Sequence, residues 1–77
     1  MRVNLGDKLK IRFEGSKIST YYLKLPTPDQ LNTISPDSPI GKALIGKKEG
    51  QKISIALNNR LIVFQILGIV ERANNSI

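Results

Sequence analysis

Apolar and polar residues alternate with a period of two along several stretches of this chain, and follow a helical period in one. From Lys8 to Glu14, Leu9, Ile11 and Phe13 fall on one side while Lys8, Lys10, Arg12 and Glu14 fall on the other, the pattern of a half-buried strand. Lys17 to Leu25 is rich in Ile, Thr and Tyr, residues that suit a pleated surface. There Tyr21, Leu23 and Leu25 share the inward face and Tyr22 and Lys24 point outward. Gln51 to Leu57 alternates again, with Ile53, Ile55 and Leu57 inward and Lys52 and Ser54 outward. Leu61 to Val70 is the most apolar stretch; Ile62, Phe64 and Ile66 take the core face, and Gly68 marks a bulge that returns Ile69 to it. Strands are thus predicted near 8–14, 17–25, 51–57 and 61–70.

Turn chemistry separates these stretches. Leu5-Gly6-Asp7 leads into the first strand, and Gly15-Ser16 suits a hairpin turn. Pro26-Thr27-Pro28-Asp29 ends the second strand, because proline supplies no ladder N–H, and 26–33 is read as a loop. Asn58-Asn59 is a turn, since asparagine tolerates positive φ. The helical stretch is 38–45. Ser38 can cap it, Pro39 suits its first position, and Ile40, Ala43 and Leu44 form one apolar face. Gly46 can end it in the left-handed conformation, Lys47 and Lys48 suit its negative end, and Ile34 precedes it as a core plug. About two turns of helix are not stable alone and must be held by a sheet. The order is β-β-α-β-β, an α+β architecture with an antiparallel sheet covered on one face by a helix. Leu61, Val63 and Leu67 fall on the outer face of the last strand, more apolar surface than a solvated face needs. They are candidates for a partner or dimer contact, or for cover by a neighbouring loop.

The chain has 77 residues, enough for one small domain, and it shows no internal repeat or linker. It carries neither cysteine nor histidine, which removes disulfides, thiol chemistry and the commonest zinc sites, and leaves no base or nucleophile of the usual hydrolase type. No cofactor, metal or small-molecule substrate is expected. No apolar run is long enough to span a membrane and the N-terminus lacks a signal-peptide core, so a cytoplasmic location is expected. Net charge is +6, from twelve Lys and Arg against six Asp and Glu. Such a balance fits a nucleic-acid or acidic-protein partner, or a surplus that serves solubility.

The stretch Ile34-Ser35-x-x-Ser38-Pro39-Ile40-Gly41-Lys42-Ala43-Leu44-Ile45-Gly46-Lys47-Lys48-x-Gly50 resembles the signature of the C-terminal domain of the bacterial Gre transcription elongation factors. The resemblance extends to Leu5-Gly6-Asp7-x-Leu9-x-Ile11, to Tyr21-Tyr22-Leu23, to Gly50-Gln51-x-Ile53-x-Ile55 and to Phe64-x-Ile66, covering roughly residues 3–72. It implies an FKBP-like fold and a domain that docks on a rim of bacterial RNA polymerase. In that family a separate N-terminal coiled-coil hairpin enters the polymerase secondary channel, and acidic residues at its tip promote cleavage of backtracked RNA. This chain has no heptads and no long helix, so the resemblance implies a single docking domain over 1–77 without the cleavage half. Two local departures are a loop at 26–33 with two prolines in place of an acidic stretch, and Asn58-Asn59-Arg60 in place of a Pro-Gly turn.

By the same resemblance, Asp37, Ser38 and Pro39 are candidate polymerase contacts, with Ile40 and Lys42 as neighbours. The plainer reading of Ser38 and Pro39 is a cap and a first-turn residue, and of Lys42 a solvated surface lysine. Two other functions are weighed beside polymerase docking. Lys8, Lys10 and Arg12 form a basic stripe that could contact nucleic acid, with Lys24 or Lys52 as candidates to extend it. FKBP-like folds also include peptidyl-prolyl isomerases, but the aromatics Phe13, Tyr21 and Phe64 are all needed for the core.

Overall fold

The four predicted alternations all form strands in a computed structural model, which describes residues 2–72. Strand β1 runs Lys8–Phe13, β2 Ile18–Leu23, β4 Lys52–Leu57 and β5 Arg60–Glu71. Between them lie a two-residue strand, β3, at Thr33–Ile34, and the six-residue helix α1 at Pro39–Leu44. The sheet order is β3-β2-β1-β5-β4. Neighbouring pairs are antiparallel except β2 and β3, which are parallel, with Tyr22 facing Thr33 and Leu23 facing Ile34. The sheet is therefore mixed rather than antiparallel, and the order gains a strand where the sequence predicts only loop. Two residues are too few for alternation to register.

One face of the sheet carries the core. Leu9 and Ile11 of β1, Leu23 of β2, Ile53 of β4 and Phe64 and Ile66 of β5 are buried with Val3 and with Leu44 of α1. Ile34, Ile40, Ile55, Ile62 and Ile69 pack around them. Phe13 lies between Tyr21, edge-on with ring centroids 6.2 Å apart, and Phe64, tilted at 5.4 Å. Leu25 departs from the expected inward set: β2 ends at Leu23, the chain leaves the ladder towards Pro26, and Leu25 is 59% exposed.

The turns follow their residues. Asn58 and Asn59 both take positive φ (51° and 63°) in a two-residue hairpin closed by Leu57 and Arg60, the geometry that matches strand twist. Strand β5 is irregular against β1: the pairing steps from Glu71 to Ile69 and from Gly68 to Ile66, leaving Val70 and Leu67 without a facing residue. Ile69 consequently faces Leu9 and packs on the core, as the bulge at Gly68 predicts. The Ile69 N–H is satisfied by Glu49 Oε2 at 2.8 Å, so a side chain from the turn before β4 serves where the ladder does not. The expected polar tail from Arg72 onward lies, past Arg72, outside the described residues.

Candidate partner-binding site

Ser35 to Gly46 forms a corner whose backbone is fixed by short-range bonds. Ser38 N–H donates to the Ser35 carbonyl at 3.1 Å, closing a turn over Pro36 and Asp37. Ser38 Oγ also donates to that carbonyl at 2.7 Å and accepts from Gly41 N–H at 3.0 Å, so one hydroxyl closes the turn and caps the helix. Ser35 Oγ accepts from the Asp37 N–H at 3.2 Å. The helix then runs so close to the turn that a Cβ on Gly41 would collide with the Ser35 carbonyl oxygen, and would lie 2.8 Å from its carbon and 2.9 Å from Pro36 Cα. Gly41 is thus a close-approach glycine rather than a flexible one.

The far end of α1 is pinned from a distant part of the chain. Gly46 takes φ +79° and donates its N–H to the Val3 carbonyl at 2.9 Å, while Val3 N–H donates to Lys47 O at 2.8 Å. Arg2 Nη1 donates to the Gly46 carbonyl at 2.7 Å. Two or three residues near the N-terminus carry no periodic signal, so alternation places the first core residue at Leu9 and does not reveal Val3. Asp7, in sequence an ordinary turn residue, is likewise fully buried; its Oδ2 accepts from Asn4 N–H at 2.9 Å and its Oδ1 lies 3.7 Å from Arg72 Nε. The detectable signal was an Asp closing a Gly turn, a place where a carboxylate commonly binds nearby backbone.

The corner brings together all five residues expected to contact a partner, but divides their roles. Asp37, Pro39 and Lys42 are exposed. Ser38 is half-buried and spends its hydroxyl inside the corner, and Ile40 is half-buried against the core. The surface offered outward is therefore a carboxylate, a proline ring and an ammonium on a rigid turn. Such a set suits recognition of a protein surface. Among the described residues, no group of three or more His, Cys, Asp or Glu side chains is placed to hold a metal ion, and no helix is long and apolar enough to cross a membrane.

Lys8, Lys10 and Arg12 lie elsewhere, on the sheet face opposite α1, because Leu9 and Ile11 between them are buried. Lys10 and Arg12 are exposed. Lys8 is half-buried, with Nζ 5.3 Å from the Tyr22 ring centroid and Glu71 facing it from β5.

Comparison with known proteins bears on the whole of this arrangement. A family model described as "Transcription elongation factor, GreA/GreB, C-term" matches residues 1–71. The chain is similar to the transcription elongation factor GreA of Acetivibrio thermocellus, 38% identical over 71 residues that cover 87% of this chain and 44% of that protein. It is similar to that of Helicobacter hepaticus, 37% identical over 71 residues covering 88% and 44%. A shorter match to that of Caldanaerobacter subterraneus is 53% identical over 38 residues, 49% of this chain and 24% of the relative. No solved structure matches. The chain spans less than half the length of the curated relatives it matches. Strands, helix corner and closing strand all fall within the matched residues, and the chain belongs to the GreA/GreB C-terminal family of transcription elongation factors.

Proposed function

We propose that this chain is an RNA polymerase-binding module that regulates transcription elongation in the bacterial cytoplasm, acting as one FKBP-like docking domain. The observation that carries the reading is the corner at Ser35–Gly46, which holds Asp37 and Pro39 outward on a turn fixed by Ser35, Ser38 and Gly41. A preorganised loop loses little freedom on binding, so its few contacts count more fully towards affinity. Asp37, Pro39 and Lys42 form the contact surface. Ser38 and Ile40 support it, the one as cap and the other from the core.

The 77 residues taken by themselves are not expected to promote RNA cleavage. Promoting RNA cleavage requires carboxylates at the catalytic metal deep in the polymerase channel, and a domain with a radius of gyration of 12.1 Å seated on the rim does not reach there. Two assays test the reading. Immobilised chain should capture bacterial core polymerase, and failure to capture it contradicts docking. Added alone to backtracked complexes, the chain should leave transcript cleavage at its basal rate; stimulated cleavage contradicts the mechanism. Against a full-length Gre factor it should compete at saturating dose. The competition is expected to be weak, because a longer factor gains a second, tethered contact.

A further inference from the structure

The sheet face opposite α1 carries cations in a fixed array. Lys10 and Arg12 stand two residues apart on β1. Arg12 faces Gln65 on β5, and Gln65 faces Lys52 on β4, so Arg12, Gln65 and Lys52 form one row across three strands. With strands about 4.8 Å apart and two residues rising about 6.7 Å, the three cations spring from backbone positions roughly 7–12 Å from one another. All three are exposed, and among the described residues none of their side chains forms an ion pair. A cavity of about 200 Å³ opens among Arg12, Lys52, Gln65 and the Gly15-Ser16 turn, with Glu14 also on its wall. Thr20 and Gly68 flank Lys10 on either side, and the Glu49 carboxylate, held by the Ile69 N–H, lies over Gly68, 3.6 Å from where a Cβ would stand.

We infer that Lys10, Arg12 and Lys52 hold the phosphate backbone of a nucleic-acid duplex, with one phosphate at the mouth of the Arg12–Lys52 cavity and between them Gln65, whose Nε2 donates one N–H to the Gly50 carbonyl at 3.2 Å and has a second to offer. The composition of the face selects this occupant. Protein interfaces centre on apolar or aromatic anchors with charge thinned out, whereas the row Arg12–Gln65–Lys52 with Lys10 beside it carries three cations and a glutamine; the apolar residues of this face lie along β5 beyond that row, Val63 on the cavity wall and Leu61 towards the hairpin. Phosphate contacts ask for such groups and for nothing that reads a base. A single strand would call for an open aromatic ring on which bases stack. Tyr22, the aromatic on this face, is half-buried with Lys8 over its ring, which also removes Lys8 from the contact set. The inference is independent of polymerase docking, which uses the opposite side of the sheet.

The test is fluorescence anisotropy of a labelled DNA duplex with the 77-residue chain at a series of salt concentrations. Three phosphate contacts give a slope of log K against log salt of about −2.7, or roughly 40-fold weaker binding between about 50 and 200 mM salt. Arg12→Gln/Lys52→Gln should flatten the slope to about −0.9, and Lys10→Gln alone should lower its magnitude by about 0.9. Lys47→Gln/Lys48→Gln removes the same charge elsewhere and should leave the slope unchanged. Thermal melts of each variant should match the parent, since all these side chains are exposed or at turns. Equal losses in the two double variants would overturn the inference by showing diffuse charge. Tighter binding of the matched single strand than of duplex would overturn it as well. So would displacement of the duplex by polyglutamate as effectively as by unlabelled duplex of equal charge, since the face would then suit an acidic protein.

Discussion

The helix corner and the open sheet face are built on opposite terms. At the corner, backbone geometry is over-determined: one carbonyl, Ser35 O, accepts from both Ser38 N–H and Ser38 Oγ, and the helix packs onto it at a position where even a methyl group does not fit. On the open face, the ladder fixes where Lys10, Arg12 and Lys52 stand, while their side chains remain unconstrained. The corner thus mixes residues that make the fold with residues proposed to meet a partner, whereas Lys10, Arg12 and Lys52 on the open face form no ion pair within the fold among the described residues. Substitutions at the corner must be sorted by stability before they are read as binding effects, whereas those on the face can be read directly.

The sharpest break should come at Gly41. Gly41→Ala gains about 1 kcal/mol of helix propensity but forces the helix off the Ser35 carbonyl, and the net loss should be on the order of 4 kcal/mol. A domain of this size has roughly 4–12 kcal/mol in total, so a urea melt should show a largely unfolded or strongly destabilised protein. A melt like that of the parent would mean that the close approach is not obligatory. Next, Leu44→Ala removes a fully buried side chain from between helix and sheet and should cost about 2–5 kcal/mol in the same melt. A loss below about 1 kcal/mol would show that α1 is not anchored through Leu44. Ser38→Ala should cost about 1 kcal/mol, the usual worth of a cap, and should weaken polymerase binding only in proportion to unfolding. A larger binding defect in a folded Ser38→Ala protein would move Ser38 from the supporting residues to the contact surface. Smallest in stability is Asp37→Ala, within about 0.5 kcal/mol of the parent, because its carboxylate is exposed and only its backbone N–H is bonded into the turn.

The sequence was most legible where physics is local. Leu9, Ile11, Phe64 and Ile66 announced their face by alternation, Ser38 and Pro39 announced a helix start, and Asn58-Asn59 announced a tight hairpin, since each signal needs only neighbours in the chain. What it concealed depends on distant partners. Val3 gains its place from Gly46 and Lys47, more than forty residues on, and Thr33–Ile34 becomes a strand only because β2 offers it an edge. Asp7 is buried and lies beside Arg72, more than sixty residues on, and the Ile69 N–H finds Glu49 across a bulge. Gly41 shows the same divide within the candidate site: the motif contains the glycine, but only the folded corner explains why no side chain can replace it. Ile40 belonged to the expected contact set by adjacency in sequence, and the helix turns it against the core.

The central claim, that the corner docks on polymerase through its exposed residues, is tested most directly by one paired titration. Labelled parent chain and labelled Asp37→Ala are each titrated with bacterial core polymerase, after melts confirm equal stability. The account predicts that Asp37→Ala binds about tenfold more weakly or worse, a loss of roughly 1.4 kcal/mol or more in binding with none in folding. Equal affinity of the two proteins for polymerase would contradict it.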